Sequence, residues 1–378
     1  MNRHHPLFVA CVILLILFPL PAAVHSAGAI KVAAIFAKTG EAATPNAMYF
    51  NGVRFAVNEI NRQGGLLGRP VELIEIDNRS TALGSKAAAE QAAREGVTAV
   101  IGGPRSSYAM AMAPVLQAAR IPMISPTATI PELTLLGDYI FRACFIDDFQ
   151  GRTMAGFAVR DLGAKTAVVL TNTGNQYSLT LAAVFIKHYE EAGGKLLLEG
   201  EYLEDVTDFQ NLLAKANRLH PDVVFIPGYG KDTGLIMKTA KEMGITFQYL
   251  GGDGWGEELF YQYAGDAADG SYACSNWNKN NPDPLNRSFV AAFEKTYGRI
   301  ISFSVPLAYD SCMLLADAVK RADSGEPRRI RDALAATRGF QGLTGDITFD
   351  GNRNPIGKSA VILKYENGAV VYVKSFRP

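Results

Sequence analysis

The chain has 378 residues, 48% of them hydrophobic and 20% charged, and its 37 basic residues equal its 37 acidic residues. This balance argues against a protein that binds nucleic acid or an anionic membrane surface through its net charge. The length exceeds that of one ordinary hydrophobic core and predicts two domains.

Residues 1–26 have the layout of a secretory signal. Arg3 precedes the apolar segment LFVACVILLILFPL, and small residues follow around Ser26 and Ala27. Because Pro19 keeps the apolar run shorter than the roughly 20 residues that span a bilayer, we favour a cleaved signal over a retained membrane anchor. We therefore expect the mature chain to be exported across the cytoplasmic membrane.

Three cysteines, Cys144, Cys274 and Cys312, remain after the signal. Their spacing allows one disulfide with one free thiol in an oxidising compartment, but it does not select a pair. Three buried thiols is the simpler interpretation.

Short apolar runs alternate with longer amphipathic segments from residue 30 onwards. The predicted strands of the first half are IKVAAIF, PVELIEID, TAVIGG and IPMIS, and the predicted helices cover 46–63, 82–95 and 106–120. Strands that are apolar on both sides and alternate with helices indicate a parallel sheet with helices on both faces.

The same pattern begins again after residue 147. Its predicted strands are AKTAVVLT, KLLLEGEYL, PDVVFIPG and TFQYLGG, and its predicted helices lie near 175–192, 208–219, 231–243 and 257–264. In each half the first helix ends in a glycine pair, in "NRQGG" and "YEEAGG", as a left-handed C-cap requires. Two domains of one topology are the simplest account.

The remaining residues complete these two domains. Residues 286–337 predict three helices, which we assign to the first domain, and 346–376 predict a strand and a hairpin, which we assign to the second. The hairpin turn is Asn367-Gly368, a strong two-residue turn signal. The chain would then cross between domains near residues 145, 275 and 350. The fold class is α/β, with two Rossmann-like lobes whose cores are parallel sheets, joined by three crossovers.

Signals for metal or covalent chemistry are nearly absent. Only His188 and His220 follow the signal, neither has a second ligand at metal-binding spacing, and no G-x-S-x-G motif occurs. We therefore predict no metal, no cofactor and no enzyme. The one enzyme-like alternative is a dinucleotide-binding motif in "GYGKDTG" at 228–234, with Asp253 as the ribose-binding acid, but its G-x-G-x-x-x-G spacing departs from the usual fingerprint.

Polar side chains follow the predicted strands, at the sheet edge where open parallel sheets bind ligands. "PRSSYAM" and "PTAT" follow strands of the first half, while "NTGNQYS", "YGKD" and "DGWG" follow strands of the second. Hydroxyls of Ser106 and Thr129 with the N–H groups of a helix N-terminus suit a carboxylate, and Asp253 suits an ammonium. Each residue also has a purely structural interpretation: Ser106 as an N-cap, Thr129 as a loop hydroxyl and Asp253 as a turn former.

The chain resembles the leucine/isoleucine/valine-binding protein family, the type I periplasmic binding proteins of ABC transporters. The resemblance covers essentially all of the mature chain and is most specific in "FNGVRFAVNEINRQGG", "IPMISPTATIPELT", "FIPGYG", "LGGDGWG" and "AGDAADG". It implies two lobes that close on a ligand between them, in the periplasm. We expect the first lobe to contain 27–146 plus 276–349, and the second 147–275 plus 350–378.

The resemblance also implies a set of ligand-binding residues. They are Ser106, Thr127, Thr129, Tyr177, Tyr229 and Asp253, with Arg105, Ser107 and Ala128 beside them. Pro45 replaces an aromatic residue of the branched-chain binders, while Arg105 and Ser80 replace the cysteines of a first-lobe disulfide. The loss of an aromatic wall at Pro45 and the gain of a guanidinium at Arg105 argue against a purely aliphatic pocket. Arg105 could instead point to solvent or form a salt bridge with Asp77.

The implied function is capture of a free amino acid and its delivery to an ABC permease by a monomeric binding protein. Two alternatives stay open: a binder of small aromatic or aliphatic carboxylates that lack the amine, and a ligand-sensing subunit of a membrane receptor. Side-chain preference depends on Arg105, Tyr108, Thr127 and Phe303, and the sequence does not give their orientation. Trp255 and Trp277 could line the cleft or pack inside a lobe.

Overall fold

The computed structural model describes residue 1, residues 28–203 and residues 206–377. Apart from residue 1, the predicted signal lies outside this part of the chain. Within it, no helix is both long and apolar enough to cross a membrane.

The first lobe begins with five short strands that form one parallel sheet. They are β1 Ile30–Phe36, β2 Val71–Asp77, β3 Ala99–Gly102, β4 Met123–Ser125 and β5 Ile140–Arg142. The connecting helices are α1 Ala43–Arg62, α2 Ala82–Arg94 and α3 Ser106–Ala119. The strands are mostly buried, as expected of a sheet with helices on both faces.

The second lobe repeats this arrangement. Its strands are β6 Thr166–Asn172, β7 Lys195–Tyr202, β8 Val223–Ile226, β9 Tyr249–Gly251 and β10 Tyr272–Ser275. Its helices are α4 Asp147–Arg160, α5 Gln176–Glu191, α6 Gln210–Asn217, α7 Gly230–Glu242 and α8 Tyr261–Ala264. The predicted helix at 257–264 is a 3₁₀ turn over 257–260 followed by the single turn of α8.

The C-terminal part of the chain adds to both lobes. Its helices are α9 Pro284–Tyr297, α10 Ser304–Ala322 and α11 Pro327–Ala335. Its strands are β11 Phe340–Gly342, β12 Gly345–Phe349, β13 Pro355–Ile356, β14 Ala360–Glu366 and β15 Ala369–Phe376. Strands β11 to β13 form a small separate sheet, whereas β14 and β15 extend the second large sheet beyond β10.

The two large sheets have the same strand order. The first is β2-β1-β3-β4-β5, and the second contains β7-β6-β8-β9-β10, with β14 and β15 added antiparallel at the β10 edge. The α/β fold class with two Rossmann-like lobes is therefore confirmed.

The two glycine pairs end their helices in the same way. The Gly65 N–H donates to the Ile60 carbonyl and the Gly194 N–H donates to the Tyr189 carbonyl, each at 2.9 Å.

Helices α9 to α11 pack into the core of the first lobe. Phe50 and Val53 of α1 lie in one hydrophobic cluster with Leu307 and Leu314 of α10. The two helices approach so closely at Gly52 that a Cβ atom there would lie 2.5 Å from the Val305 carbonyl oxygen. The core of the first lobe is therefore built from two distant parts of the chain.

Polar groups are buried where the chain passes between the lobes. Asp310 accepts hydrogen bonds from the backbone N–H groups of Leu343 and Thr344, at 2.8 and 2.9 Å, and Lys358 Nζ donates to the Thr344 hydroxyl at 2.5 Å. Burial lowers the pKa of Lys358 to about 8, although the nearby carboxylate of Asp310 opposes this shift. These bonds fix the last crossover next to the first-lobe core.

Candidate functional site: the cavity between the lobes

A cavity of about 90 Å³ lies between the two lobes. The first lobe lines it with Glu41, Pro45, Asn46, Tyr49, Pro104, Arg105, Ser106, Thr127, Ser302, Phe303 and Ser304. The second lobe lines it with Tyr177, Tyr229, Gly230, Lys231, Asp253, Gly254, Trp255, Gly256, Leu259 and Tyr263. Both polar and aromatic side chains therefore face one small space.

The sheets place these side chains at the ends of their strands. Ser106 begins α3 after β3, and Thr127 follows β4, while Tyr177 lies in the first turn of α5 after β6. Tyr229 immediately precedes α7, and Asp253 follows β9. The carboxyl ends of both sheets thus face each other across the cavity, where ligands bind to open α/β sheets.

Ser106 is the first residue of α3 rather than its N-cap, a role that Arg105 takes without a side-chain capping bond. The Ser106 side chain is 1% exposed, and its hydroxyl has no hydrogen-bond partner among the described residues. A buried polar atom without a partner is costly, so a ligand oxygen at this helix N-terminus would stabilise it.

Asp253 is the acid of the second lobe at the cavity, with an exposure of 4%. Tyr177 Oη donates to its Oδ1 at 3.0 Å, and Asn276 Nδ2 donates to its Oδ2 at 3.1 Å. Burial raises the pKa of Asp253 to about 6, although hydrogen bonds from Tyr177, Gln150 and Asn276 oppose this rise. The carboxylate is therefore mostly ionised at neutral pH and suits a cationic ligand group.

Gln150 connects Asp253 to a second buried acid. Its Oε1 accepts the Asp253 backbone N–H at 2.9 Å, and its Nε2 donates to Asp147 Oδ1 at 3.0 Å. Burial raises the pKa of Asp147 to about 7; the hydrogen bond from Gln150 and the nearby Thr129 hydroxyl oppose the rise, and the charge of Asp253 adds to it. Sequence reasoning missed Asp147 and Gln150 because they lie in α4, which was not predicted.

Arg105 lies between the lobes, and neither interpretation that directs it away from the cleft is correct. Its guanidinium lies 4.2 Å from the ring centre of Tyr229, and its Nη1 is 2.6 Å from Glu41 Oε1. Asp77, the expected salt-bridge partner, instead accepts bonds from Thr39 and neighbouring backbone N–H groups. Arg105 therefore stacks across the cleft because an aromatic face and a carboxylate are both within reach.

Other contacts also join the lobes around the cavity. Lys231 Nζ of the second lobe lies 3.9 Å from Glu41 Oε2 of the first. The Leu259 N–H of the second lobe also donates to the Ile301 carbonyl of the first at 3.1 Å. The structure is therefore a closed form, in which the two lobes touch at residues around the cavity.

The tyrosines of the second lobe form one wall. The rings of Tyr177 and Tyr229 are stacked, with centres 5.2 Å apart and planes 21° apart. Burial is the main cause that raises the pKa of both phenols well above the usual value, so both remain neutral. Tyr177 Oη also accepts the Gly254 N–H at 2.9 Å, which fixes the loop that carries Asp253.

Three of the expected ligand-binding residues are not on the cavity surface: Thr129, Ser107 and Ala128. The Thr129 hydroxyl is buried near Asp147, and no partner satisfies it at hydrogen-bond distance and angle among the described residues. The Ala128 carbonyl accepts Arg142 Nη1 at 2.8 Å. These contacts hold the loop after β4 close to the first crossover, near residue 145.

The residues left open by the sequence divide between cavity and core. Phe303 lines the cavity, whereas Trp277 packs in the first-lobe core and donates to Asn286 Oδ1 at 2.7 Å. Trp255 borders the cavity but is 1% exposed and stacks on Phe260, with ring centres 4.6 Å apart. The three cysteines are all buried free thiols.

The glycines of "GYGKDTG" have a packing role. A Cβ atom on Gly230 or Gly234 would lie 3.0 or 2.6 Å from the side chain of Tyr263. The side chain of Tyr263 therefore covers the backbone of both glycines, which is not open to a dinucleotide phosphate. Among the described residues, no group of three or more metal-ligating side chains occurs.

Comparison with known proteins agrees with this geometry. A family model described as Periplasmic binding protein matches residues 29–369. The chain belongs to the periplasmic binding protein family. Members of this family bind solutes rather than convert them, and they act in the periplasm, which agrees with the predictions of a non-enzyme and of export.

Individual members resemble this periplasmic binding protein over most of their length. The leucine-, isoleucine-, valine-, threonine-, and alanine-binding protein of Pseudomonas aeruginosa is 29% identical over 86% of this chain and 87% of its own. The crystal structure of the leucine binding protein LivK from Thermotoga maritima has a TM-score of 0.88 and 33% identity, over 92% of this chain and 99% of that one.

A second crystal structure, LivJ from Streptococcus pneumoniae in complex with isoleucine, also has a TM-score of 0.88, with 31% identity over 93% of this chain and 100% of that one. The resemblance to the leucine/isoleucine/valine-binding proteins is thus confirmed. The type I periplasmic binding protein fold is confirmed by the same superpositions.

Proposed function

We propose that the chain is the substrate-binding protein of an ABC importer, which captures a free amino acid between its lobes and presents the closed form to a membrane permease. The observation that carries the proposal is that Ser106 and Asp253 face one closed cavity from opposite lobes. One offers an unpaired hydroxyl at a helix N-terminus and the other a buried carboxylate. Together they complement the two charges of a zwitterion.

The named relatives support an amino acid as the ligand. The Pseudomonas protein is named for five amino acids, and the Streptococcus structure contains isoleucine. In this proposal Ser106 and the N–H groups at the start of α3 hold the carboxylate end, and Asp253 binds the ammonium. The residues that enclose the ligand are Thr127, Tyr177, Tyr229 and Arg105. The residues that pack behind these ligand contacts, off the cavity surface, are Thr129, Ser107 and Ala128.

The proposed mechanism is closure without chemistry. A ligand that touches both lobes binds the closed form better than the open form and so shifts the population towards closure. Each charge-assisted hydrogen bond contributes about 1.5 to 3 kcal/mol. A few such bonds, reduced by the cost of ordering, give the roughly −8 kcal/mol of a micromolar complex. A monomer is sufficient, since the cavity is built from one chain.

The test is isothermal titration of the refolded, ligand-stripped protein with free amino acids. Each binding amino acid is compared with two matched compounds: the α-amide, which lacks the carboxylate, and the corresponding acid, which lacks the amine. We expect both changes to weaken binding strongly. If only acids without an amine bind, the ligand is a simple carboxylate and the proposal is wrong.

Delivery to a permease needs a separate test in cells. Uptake of the labelled amino acid should fall when the gene for this chain is deleted and return when it is restored. Unchanged uptake with a lost cellular response to the amino acid would instead indicate a sensing subunit.

A further inference from the structure

Asn46, near the start of α1, is a cavity residue that the ligand set above does not include. It is 3% exposed, and its Oδ1 accepts the backbone N–H of Ala37 at 2.9 Å. Because only the oxygen of the Asn46 amide can accept a hydrogen bond from an N–H group, this bond fixes the orientation of the amide. Asn46 Nδ2 then has two hydrogens and, among the described residues, no acceptor for either of them.

Ser302 and Ser304 line the same cavity, but their hydroxyl hydrogens have acceptors within the first lobe. The hydroxyls of Ser302 and Ser304 lie 2.9 Å apart, and Ser302 Oγ also accepts the Ser304 N–H at 3.2 Å. The pair shares one of its two hydroxyl hydrogens internally, and the hydroxyl of Tyr49, a hydrogen-bond partner of Ser304, can accept the other.

The neighbouring hydroxyls of Thr127 and Tyr49 also use their hydrogens inside the first lobe. Thr127 Oγ1 donates to the Pro104 carbonyl at 2.7 Å, so Tyr49 Oη must donate to Thr127 Oγ1, 2.8 Å away. Both hydrogens are thereby used within the first lobe. Apart from Ser106, which meets the ligand carboxylate at the start of α3, the group on this wall that needs a ligand acceptor is Asn46 Nδ2.

We propose that the ligand is an amino acid whose side chain carries a neutral oxygen acceptor, a hydroxyl or a carboxamide, and that Asn46 selects for it. This inference rests on the proposed function, since it places the amine at Asp253. An aliphatic side chain in the cavity would exclude water and leave Asn46 Nδ2 unpaired, at a cost of about ten- to a hundredfold in affinity. A side-chain carboxylate is disfavoured because Glu41 and Asp253 already balance Arg105 and Lys231 in the cavity wall, so a third anion would have no counter-charge.

The experiment uses isosteric ligand pairs. Threonine and valine differ by one hydroxyl in place of a methyl group, and asparagine and leucine differ by a carboxamide in place of an isopropyl group. We expect the wild-type protein to bind at least one oxygen-bearing member at least about tenfold more tightly than its apolar partner. If valine and leucine bind as tightly as threonine and asparagine or more tightly, the inference is wrong and the proposed function still stands.

Asn46→Asp tests the residue itself. Aspartate keeps the acceptor for the Ala37 N–H and nearly the same size, but it removes the Nδ2 donor, so the ratio between isosteres should fall below about threefold. Asn78→Asp is the matched control. Asn78 Oδ1 also accepts a backbone N–H, that of Ser80 at 3.0 Å. Its Nδ2 has no partner in the described part of the chain either and is fully buried, but Asn78 lies outside the cavity.

The control should keep the wild-type ratio. If the affinity ratio between the isosteric ligands is the same in Asn46→Asp as in the wild-type protein, Asn46 does not select the ligand. If that variant does not fold, the ratios of the wild-type protein still decide the ligand class. Should no free amino acid bind the wild-type protein, the proposed function fails, and this inference fails with it.

Discussion

Replacement of Asp253 by asparagine should remove the charge that meets the ligand ammonium and keep the size of the side chain. The two oxygens of Asp253 accept bonds from Tyr177 and Asn276 separately, at 3.0 and 3.1 Å. Asparagine has only one oxygen, so the variant also leaves one of these buried donors without an acceptor. Both effects act in the same direction.

The size of the effect follows from the burial of the site. Removing one partner of a buried, hydrogen-bonded charge pair costs about 2 to 5 kcal/mol, which is roughly 30- to several-thousandfold in affinity. The two hydrogen bonds that the Asp253 carboxylate accepts already spread part of its charge. We therefore expect a loss near the lower half of this range, of about a hundredfold.

The assay is isothermal titration near pH 7.5, where Asp253 is mostly ionised, with the bound amino acid and with its counterpart that lacks the amine. The affinity for the counterpart should change by no more than about twofold. Asp232→Asn is the control, since Asp232 also accepts a tyrosine hydroxyl and an asparagine amide, from Tyr202 and Asn172, at 2.7 and 3.0 Å. Equal losses for both ligands, or no loss for either, would refute the pairing of Asp253 with an ammonium.

Three further predictions concern pH, closure and packing. Burial raises the pKa values of Asp147 and Asp253 to about 7 and about 6, so the folded apo protein binds more protons than the unfolded chain between about pH 4 and pH 7. The free energy of unfolding, measured with urea, should therefore fall by at least about 1 kcal/mol from pH 5 to pH 7.5. An increase over this range would contradict the raised pKa values of the two buried acids. Arg105→Leu removes the stacking on Tyr229 and should weaken ligand binding about two- to thirtyfold in titrations; unchanged affinity would show that this contact does not stabilise closure. Gly52→Ala forces α1 away from α10 and should lower the free energy of unfolding, measured with urea, by about 1 to 3 kcal/mol. An unchanged free energy would show that the two helices can separate at no cost.

The repeated α/β pattern could be predicted from the sequence because most strands are short apolar runs bounded by turns. Helix α4 was missed. Its sequence contains Gly151 and Gly156, which lower helix propensity, and it is buried on most of its surface, so it shows little polar and apolar contrast. In the structure a Cβ atom on Gly151 would lie 2.7 Å from Val184 of α5, so this glycine permits close helix packing. Strands β5 and β10, of three and four residues, are too short to give a periodic signal.

The cavity was predictable where its residues directly follow strands, as Ser106, Tyr229 and Asp253 do. The contribution of Ser302 and Ser304 was not predictable, because they lie at and just before the start of α10, a helix far along the chain that only tertiary packing brings to the first sheet. Asn46 had a weak local signal, since it lies near the start of α1, the helix that follows β1. The orientation of Arg105 depended on an aromatic face from the other lobe, which spacing along the chain does not reveal.

The interleaved connectivity has a consequence for biosynthesis. The first lobe cannot complete its interior until α10 has been made, because Leu307 and Leu314 fill the space beside α1. The second lobe needs Ile362 of β14 to complete its own interior. Neither half can therefore reach its final state on the ribosome before most of the polypeptide has emerged, and maturation of both halves must take place late and nearly together.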